Sequence, residues 1–221
     1  MSELTRETGE TRVRVALDDD SDFEIATGDD FLDHMLITLA RYSGWGLVVD
    51  AVGDLRHHLI EDVAITLGQV AARDTPATCV RYADAVVPMD EALVQVALDA
   101  GGRPHYEGEL PSPLYDHFFR SFAMNADWTV HVRVLRGTDR HHVVEAAFKA
   151  LGMAIRQALQ DDGTVFSTKG SVRTEWSGGL DEAPELGDPP PSPAGRTGRG
   201  GQAAHTVHGG EDDVREADHA G

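Results

Sequence analysis

Polar and apolar residues alternate from Thr11 to Leu17 (TRVRVAL), a period of two that predicts a half-buried strand. Asp22 to Thr27 reads as its hairpin partner, joined through the acidic turn Asp18, Asp19, Asp20 and Ser21. Asp30 to Tyr42 then carries Phe31, Met35, Leu36 and Leu39 at helical spacing, with Asp29 or Asp30 as N-cap. Trp45 to Val52 predicts a further strand and His57 to Ala72 a second helix. The same order returns downstream. Ala92 to Asp99 (ALVQVALD) alternates, Pro104 to Leu110 follows as a strand, and Leu114 to Asn125 has the period of a helix. Thr129 to Leu135 (TVHVRVL) is a strand, and Arg140 to Leu159 is the longest and most apolar helical pattern. Tyr82 to Val87 reads as a strand linking the halves. One supersecondary unit present twice accounts for the repeat.

The pattern stops at Trp176. The last 46 residues hold ten Gly and five Pro, with only Leu180, Leu186, Val207 and Val214 as aliphatic anchors. Such a stretch cannot bury enough apolar surface to offset its ordering entropy, so a disordered acidic tail is expected over 176–221. The expected organisation is a first half over 1–87, a second over 88–175, and the tail.

Charge narrows the partners. With 38 Asp+Glu against 19 Lys+Arg the formal net charge is -19, which excludes nucleic acid or an anionic membrane as the main partner. No apolar run reaches 18 residues and the N-terminus lacks the order of a signal peptide, so a soluble cytoplasmic protein is expected. The single Cys79 has no thiol partner, so any metal must be held by His and carboxylates. Among the basic residues 17 are Arg and two, Lys149 and Lys169, are Lys. High acid with scarce Lys resembles proteins of very salty cytoplasm, where the Debye length falls to about 3 Å near 1 M salt; a GC-rich genome also explains Arg over Lys.

The repeat extends to chemistry. His57-His58-x-x-Glu61 recurs 84 residues later as His141-His142-x-x-Glu145, and Asp33-His34 and Asp116-His117 precede the two copies by 23 and 24 residues. On a helix His57 and Glu61 share a face, while the His58 ring points about 100° away. Adjacent imidazoles are therefore poorly placed to chelate one ion. The spacing favours two ions, each taking ligands from both halves or from neighbouring subunits; nitrogen and carboxylate ligation without thiolate suits Mn, Fe, Co, Ni or Zn, and a His-rich octahedral site with open positions favours Mn(II) or Fe(II). Lys149 sits one turn beyond Glu145, and Ser167-Thr168-Lys169-Gly170 offers hydroxyls, N–H groups and an ammonium suited to a phosphate. Arg81 and Arg103 are further candidates for an anion.

Together these residues resemble the imidazoleglycerol-phosphate dehydratase family of histidine biosynthesis. The matching elements are Arg6-x-Thr8-x-Glu10-Thr11, Phe31-Leu-Asp-His-Met-Leu36, His57-His-x-x-Glu-Asp62, Pro88-Met-Asp-Glu-Ala-Leu93, Gly102-Arg-Pro104, His117-Phe-Phe119, His141-His-x-x-Glu-Ala-x-Phe-Lys149 and Ser167-Thr-Lys-Gly170. The resemblance implies an α+β fold of two duplicated halves, each a four-stranded sheet packed on two helices (ribosomal protein S5 domain 2-like). It implies a homo-oligomer of 24 subunits, sites between subunits, and two Mn(II) ions per site. By motif the metal ligands are His34, His57, His58, Glu61, His117, His141, His142 and Glu145. Arg81, Arg103, Ser167, Thr168 and Lys169 would hold the substrate phosphate, and Lys149 would lie in the substrate site. Glu10 takes an acid/base role, with Glu61 and Glu145 also assigned to catalysis. The expected reaction removes water from imidazoleglycerol phosphate to give imidazole acetol phosphate. This chain departs from the family's usual Asp at Ile37 and usual His at Tyr42, and has only Arg56 between Leu55 and His57. Two other readings remain: a metal-dependent lyase or hydrolase acting on another phosphorylated small molecule, and a non-catalytic metal-binding oligomer.

Overall fold

The computed structural model describes residues 2–18 and 23–164. There the repeated pattern becomes two four-stranded sheets and four helices, an α+β architecture. In chain order the first half is β1 (Ser2–Glu7), β2 (Thr11–Asp18), β3 (Glu24–Ala26), α1 (Asp30–Ser43), β4 (Gly46–Gly53) and α2 (Arg56–Asp74). The second half is β5 (Tyr82–Met89), β6 (Ala92–Asp99), β7 (His105–Glu107), α3 (Pro113–Asn125), β8 (Thr129–Arg136) and α4 (Arg140–Ala158). The sheet orders are β1-β2-β4-β3 and β5-β6-β8-β7, the same topology twice.

Two expectations change. In the segment read as a hairpin partner, Glu24 to Ala26 does not pair with Thr11 to Leu17: β4 takes the place beside β2, and the short β3 lies on the far side of β4, parallel to it. A parallel pair needs a crossover, which α1 provides. Tyr82 to Val87 is no link either. It is part of β5, an edge strand of the second sheet paired antiparallel with β6, so a boundary at residue 87 would cut that strand. Its counterpart β1 pairs with β2 from Ser2↔Leu17 to Glu7↔Arg12.

Alternation decides which faces are buried. Val13, Val15 and Val49 in the first sheet, and Val94, Val96 and Val130 in the second, turn inward onto the helices. The helix α2 packs on the first sheet and α4 on the second, while α1 packs on α4 and α2 on α3. The helices thus meet across the halves, around the fully buried Phe118, Phe119, Phe122, Phe148 and Trp128. Two glycines permit this contact. A Cβ on Gly68 of α2 would lie 2.6 Å from the Phe122 carbonyl oxygen, and one on Gly152 of α4 would lie 2.8 Å from Tyr42 Cβ and 3.0 Å from the Leu39 carbonyl oxygen. Gly68 and Gly152 are separated by the same 84 residues as the histidine motifs. The cross-half packing brings the starts of helices from different halves together.

Candidate metal centres

The N-terminal turns carry the histidines. Asp29 caps α1 by accepting from Leu32 N at 2.8 Å, and Asp139 caps α4 by accepting from His141 N at 2.8 Å and His142 N at 3.3 Å. The Asp of each Asp-His pair is a clamp. Asp33 Oδ1 accepts from Thr27 N at 2.9 Å and Thr27 Oγ1 at 2.5 Å, and Asp116 Oδ1 accepts from Leu110 N at 3.0 Å and the Tyr106 hydroxyl at 2.6 Å. Both tie a helix to the loop that enters it, fixing the direction of the following histidine.

Two clusters result, each built from both halves. In the first, His34 of α1 and His141 of α4 converge on one oxygen of Glu145: His34 Nε2 lies 3.3 Å and His141 Nε2 3.1 Å from Glu145 Oε2. In the second, His57 of α2 lies 3.5 Å from Glu61 Oε2 and His117 of α3 lies 3.2 Å from Glu61 Oε1, the two rings stacked with centroids 5.2 Å apart. Ligands about 2.1 Å from one ion and at right angles lie about 3 Å apart, so these separations are close to those of a shared cation. Among the described residues His117 Nε2 is buried and, although 3.2 Å from Glu61 Oε1, makes no contact of hydrogen-bond geometry, as suits a nitrogen aimed at a shared cation. Both donor sets fit a divalent transition metal.

The neighbouring histidines point elsewhere. The rings of His57 and His58 are inclined at 71°, and those of His141 and His142 at 90°. His58 Nδ1 is 2.9 Å from Asp54 Oδ1 and 3.5 Å from Glu10 Oε2; His142 Nδ1 is 2.7 Å from Glu91 Oε2. The hydrogen bond to Asp54 raises the His58 pKa above the ordinary imidazole value, and that to Glu91 does the same for His142. Glu91 is in turn pulled down to about 2, first by His142 and then by backbone donors. Asp54 and Glu91 were not among the sequence candidates. Glu91 had a legible signal, since it stands immediately before β6 as Glu10 stands immediately before β2.

A lysine separates the clusters chemically. Lys149 Nζ lies 2.8 Å from Glu145 Oε1, opposite the oxygen that faces the histidines. Burial pushes the Glu145 carboxyl up, but Lys149 and His34 outweigh it and hold the carboxyl below its ordinary value. Eighty-four residues earlier the matching position is Ile65, so Glu61 has no such neighbour. The first half instead has Asp62, held by Arg6 at 3.1 Å and by the Thr11 hydroxyl. Thr8 accepts from Glu10 N at 3.1 Å and Thr11 N at 3.0 Å, shaping the turn that sets Glu10 beside His58.

Arg81 lies apart from the Glu145 cluster of its own chain. Arg81 N donates to the carbonyl oxygen of Ala158, 13 residues beyond Glu145 on α4, which at 1.5 Å per residue is about 20 Å. Its guanidinium grips Asp99 at 2.5 and 3.0 Å. It lines a cleft of about 550 Å³ with Thr75, Cys79, Gly101 and Gly102. Arg103 follows in an exposed turn. Ser167, Thr168 and Lys169 lie outside the described residues, as does the expected tail.

Residues 27–155 match the profile of imidazoleglycerol-phosphate dehydratase. The chain belongs to that family. An imidazoleglycerol-phosphate dehydratase of Desulforamulus reducens is 44% identical over 189 residues, covering 76% of this chain and 96% of the relative. One of Halorhodospira halophila is 44% identical over 192 residues, covering 77% and 98%. Among solved structures, the Pyrococcus furiosus enzyme in complex with (S)-C348 aligns with a TM-score of 0.72 at 39% identity, covering 76% of this chain and all of that one. The Staphylococcus aureus dehydratase aligns at 0.65 and 34% identity, covering 73% and 99%.

Against this dehydratase background the departures have distinct surroundings. Ile37 is half-buried on α1, one turn after His34. Tyr42 lies two turns beyond His34 and borders a cleft with Arg41, Met153 and Arg156. Arg56 Nε donates to Asp29 Oδ2 at 2.5 Å, fastening the start of α2 to the cap of α1. That ion pair involves Arg56, the one residue between Leu55 and His57.

Proposed function

We propose that the chain is an imidazoleglycerol-phosphate dehydratase, a hydro-lyase converting D-erythro-imidazoleglycerol phosphate to imidazole acetol phosphate in L-histidine biosynthesis. The proposed enzyme is cytoplasmic, uses two Mn(II) ions per site, and works as a homo-oligomer of 24 subunits with sites between copies. The observation that carries this reading is the pair of His-Glu-His clusters, each assembled from both halves of a dehydratase-family chain.

The substrate poses a particular difficulty. The proton to be removed is on a carbon beside an imidazole, with no carbonyl to accept the electron pair. When bound, the ions supply Lewis acidity toward an imidazole nitrogen and toward the departing hydroxyl. His34, His141 and Glu145 would hold one ion, and His57, Glu61 and His117 the other. His58 and His142 point away from these clusters and would ligate in the site of a neighbouring copy. Glu10 is exposed and lies 3.5 Å from His58 Nδ1, suited to moving the proton at that edge of the site. Lys149, held at Glu145, presents an ammonium to the substrate.

Arg81, Arg103, Ser167, Thr168 and Lys169 would hold the phosphate. Since Arg81 is about 20 Å from Glu145 along α4, it would serve the site of another copy, which supports shared sites. The test is complementation: expression should restore growth of a histidine auxotroph lacking this enzyme. Soluble, metal-loaded protein that fails to restore growth would overturn the assignment.

A further inference from the structure

The two sheets each present a glutamate at the entry to their second strand, and the structure uses them differently. Glu10, before β2, has one contact to a histidine ring, at 3.5 Å from His58 Nδ1. Glu91, before β6, engages both carboxylate oxygens. Its Oε2 lies 2.7 Å from His142 Nδ1, and its Oε1 accepts from Asp139 N at 3.0 Å and from Thr138 N at 3.4 Å. It sits in a two-residue turn closed by the Met89↔Ala92 pair, in which Asp90 takes a φ of 48°. That tight turn limits where the carboxylate can go. One side chain therefore fixes both the ring of His142 and the loop that caps α4.

We propose that Glu91 is the positioning residue of His142, holding the proton on Nδ1 so that Nε2 is presented as a ligand nitrogen. This rests on the metal reading above. An imidazole ligates through a nitrogen without a proton, so a carboxylate accepting from Nδ1–H selects the Nε2-ligating tautomer and fixes the direction of the ring. Asp54 stands in the same relation to His58, with Nδ1 to Oδ1 at 2.9 Å, so both second histidines are oriented by a carboxylate. Asp90 Oδ2 lies 3.6 Å from His142 Nε2, on the exposed side where a ligand would approach. Among the described residues the Glu10 carboxylate makes none of the backbone contacts that tie down Glu91, which keeps it available for chemistry. The duplication has thus yielded one reactive glutamate and one that orients.

The test is Mn(II) titration of metal-stripped full-length protein, following the free ion by electron paramagnetic resonance. Glu91→Gln cannot accept from both His142 and the Asp139 amide without turning its own NH2 toward one of them. It should weaken Mn(II) binding about tenfold at the site served by His142, and Glu91→Asp should recover part of the loss. On a His142→Ala background Glu91→Gln should have no additional effect on Mn(II) affinity. If Glu91→Gln lowers thermal stability but binds Mn(II) as tightly as the parent, Glu91 merely holds the α4 cap and the inference is overturned. Should the parent itself bind no Mn(II), the metal reading fails and this inference falls with it. A parent that binds beside an unaffected variant removes this inference alone.

Discussion

At the scale of single residues, the repeat is informative where it breaks. Glu61 and Glu145 occupy matching positions, yet only Glu145 has a lysine on its outer oxygen, because Ile65 stands where the second half has Lys149. Lys149→Met should lower kcat about 100-fold through loss of a positioned ammonium, measured by steady-state kinetics alongside metal content. Asp62 shows a different specialisation. It is nearly buried and tied to Arg6 and Thr11, so Asp62→Ala should cost about 2–4 kcal/mol by leaving both partners unsatisfied, seen as a lower thermal midpoint. The histidine motifs were legible in sequence because 3.6-residue periodicity puts His57 with Glu61 and His141 with Glu145. The roles of Asp33 and Asp116 were not, since their partners Thr27, Tyr106 and Leu110 are brought near only by the loops that enter α1 and α3. Glu91 was read only as part of the Pro88–Leu93 motif, and its role was hidden because its partner His142 lies 51 residues away.

Among the elements, alternation identified β2, β6 and β8, and helical spacing identified all four helices. The strand β1 was missed because SELTRE offers only Leu4 as an apolar anchor, and its alternation appears only once it pairs with β2. The supposed hairpin between β2 and β3 failed for a topological reason: nearness in sequence favours a hairpin, but β4 buries its apolar face beside β2 and displaces β3 to the edge. Pro104 to Leu110 shrank to His105–Glu107 because only those residues pair with β8. The helix contacts across the halves depend on Gly68 and Gly152. Gly68→Ala and Gly152→Ala should each destabilise by about 1–3 kcal/mol through overpacking. Thermal unfolding should show both effects; a neutral Gly152→Ala would mean that α1 and α4 do not approach as described.

For the whole molecule, the position of Arg81 far from the clusters has a direct consequence. Arg81→Ala and His141→Ala should each be inactive alone, yet an assembly formed by unfolding and refolding the two together should regain part of the activity, since some sites would draw an intact Arg81 and an intact His141 from different copies. Activity that stays absent after confirmed co-assembly would place all the groups within one copy. The net charge of -19 acts at the same scale. If it is a salt adaptation, the thermal midpoint should rise toward molar salt as screening relieves self-repulsion; a flat response favours a GC-rich genome as the source of the arginine bias. The central measurement is dehydration of imidazoleglycerol phosphate by the full chain, stripped with chelator and then supplied with Mn(II). Turnover should vanish on stripping and return as Mn(II) approaches two ions per chain. Full turnover by the stripped protein, or none by a folded protein carrying both ions, would contradict a dehydratase built on the two His-Glu-His clusters.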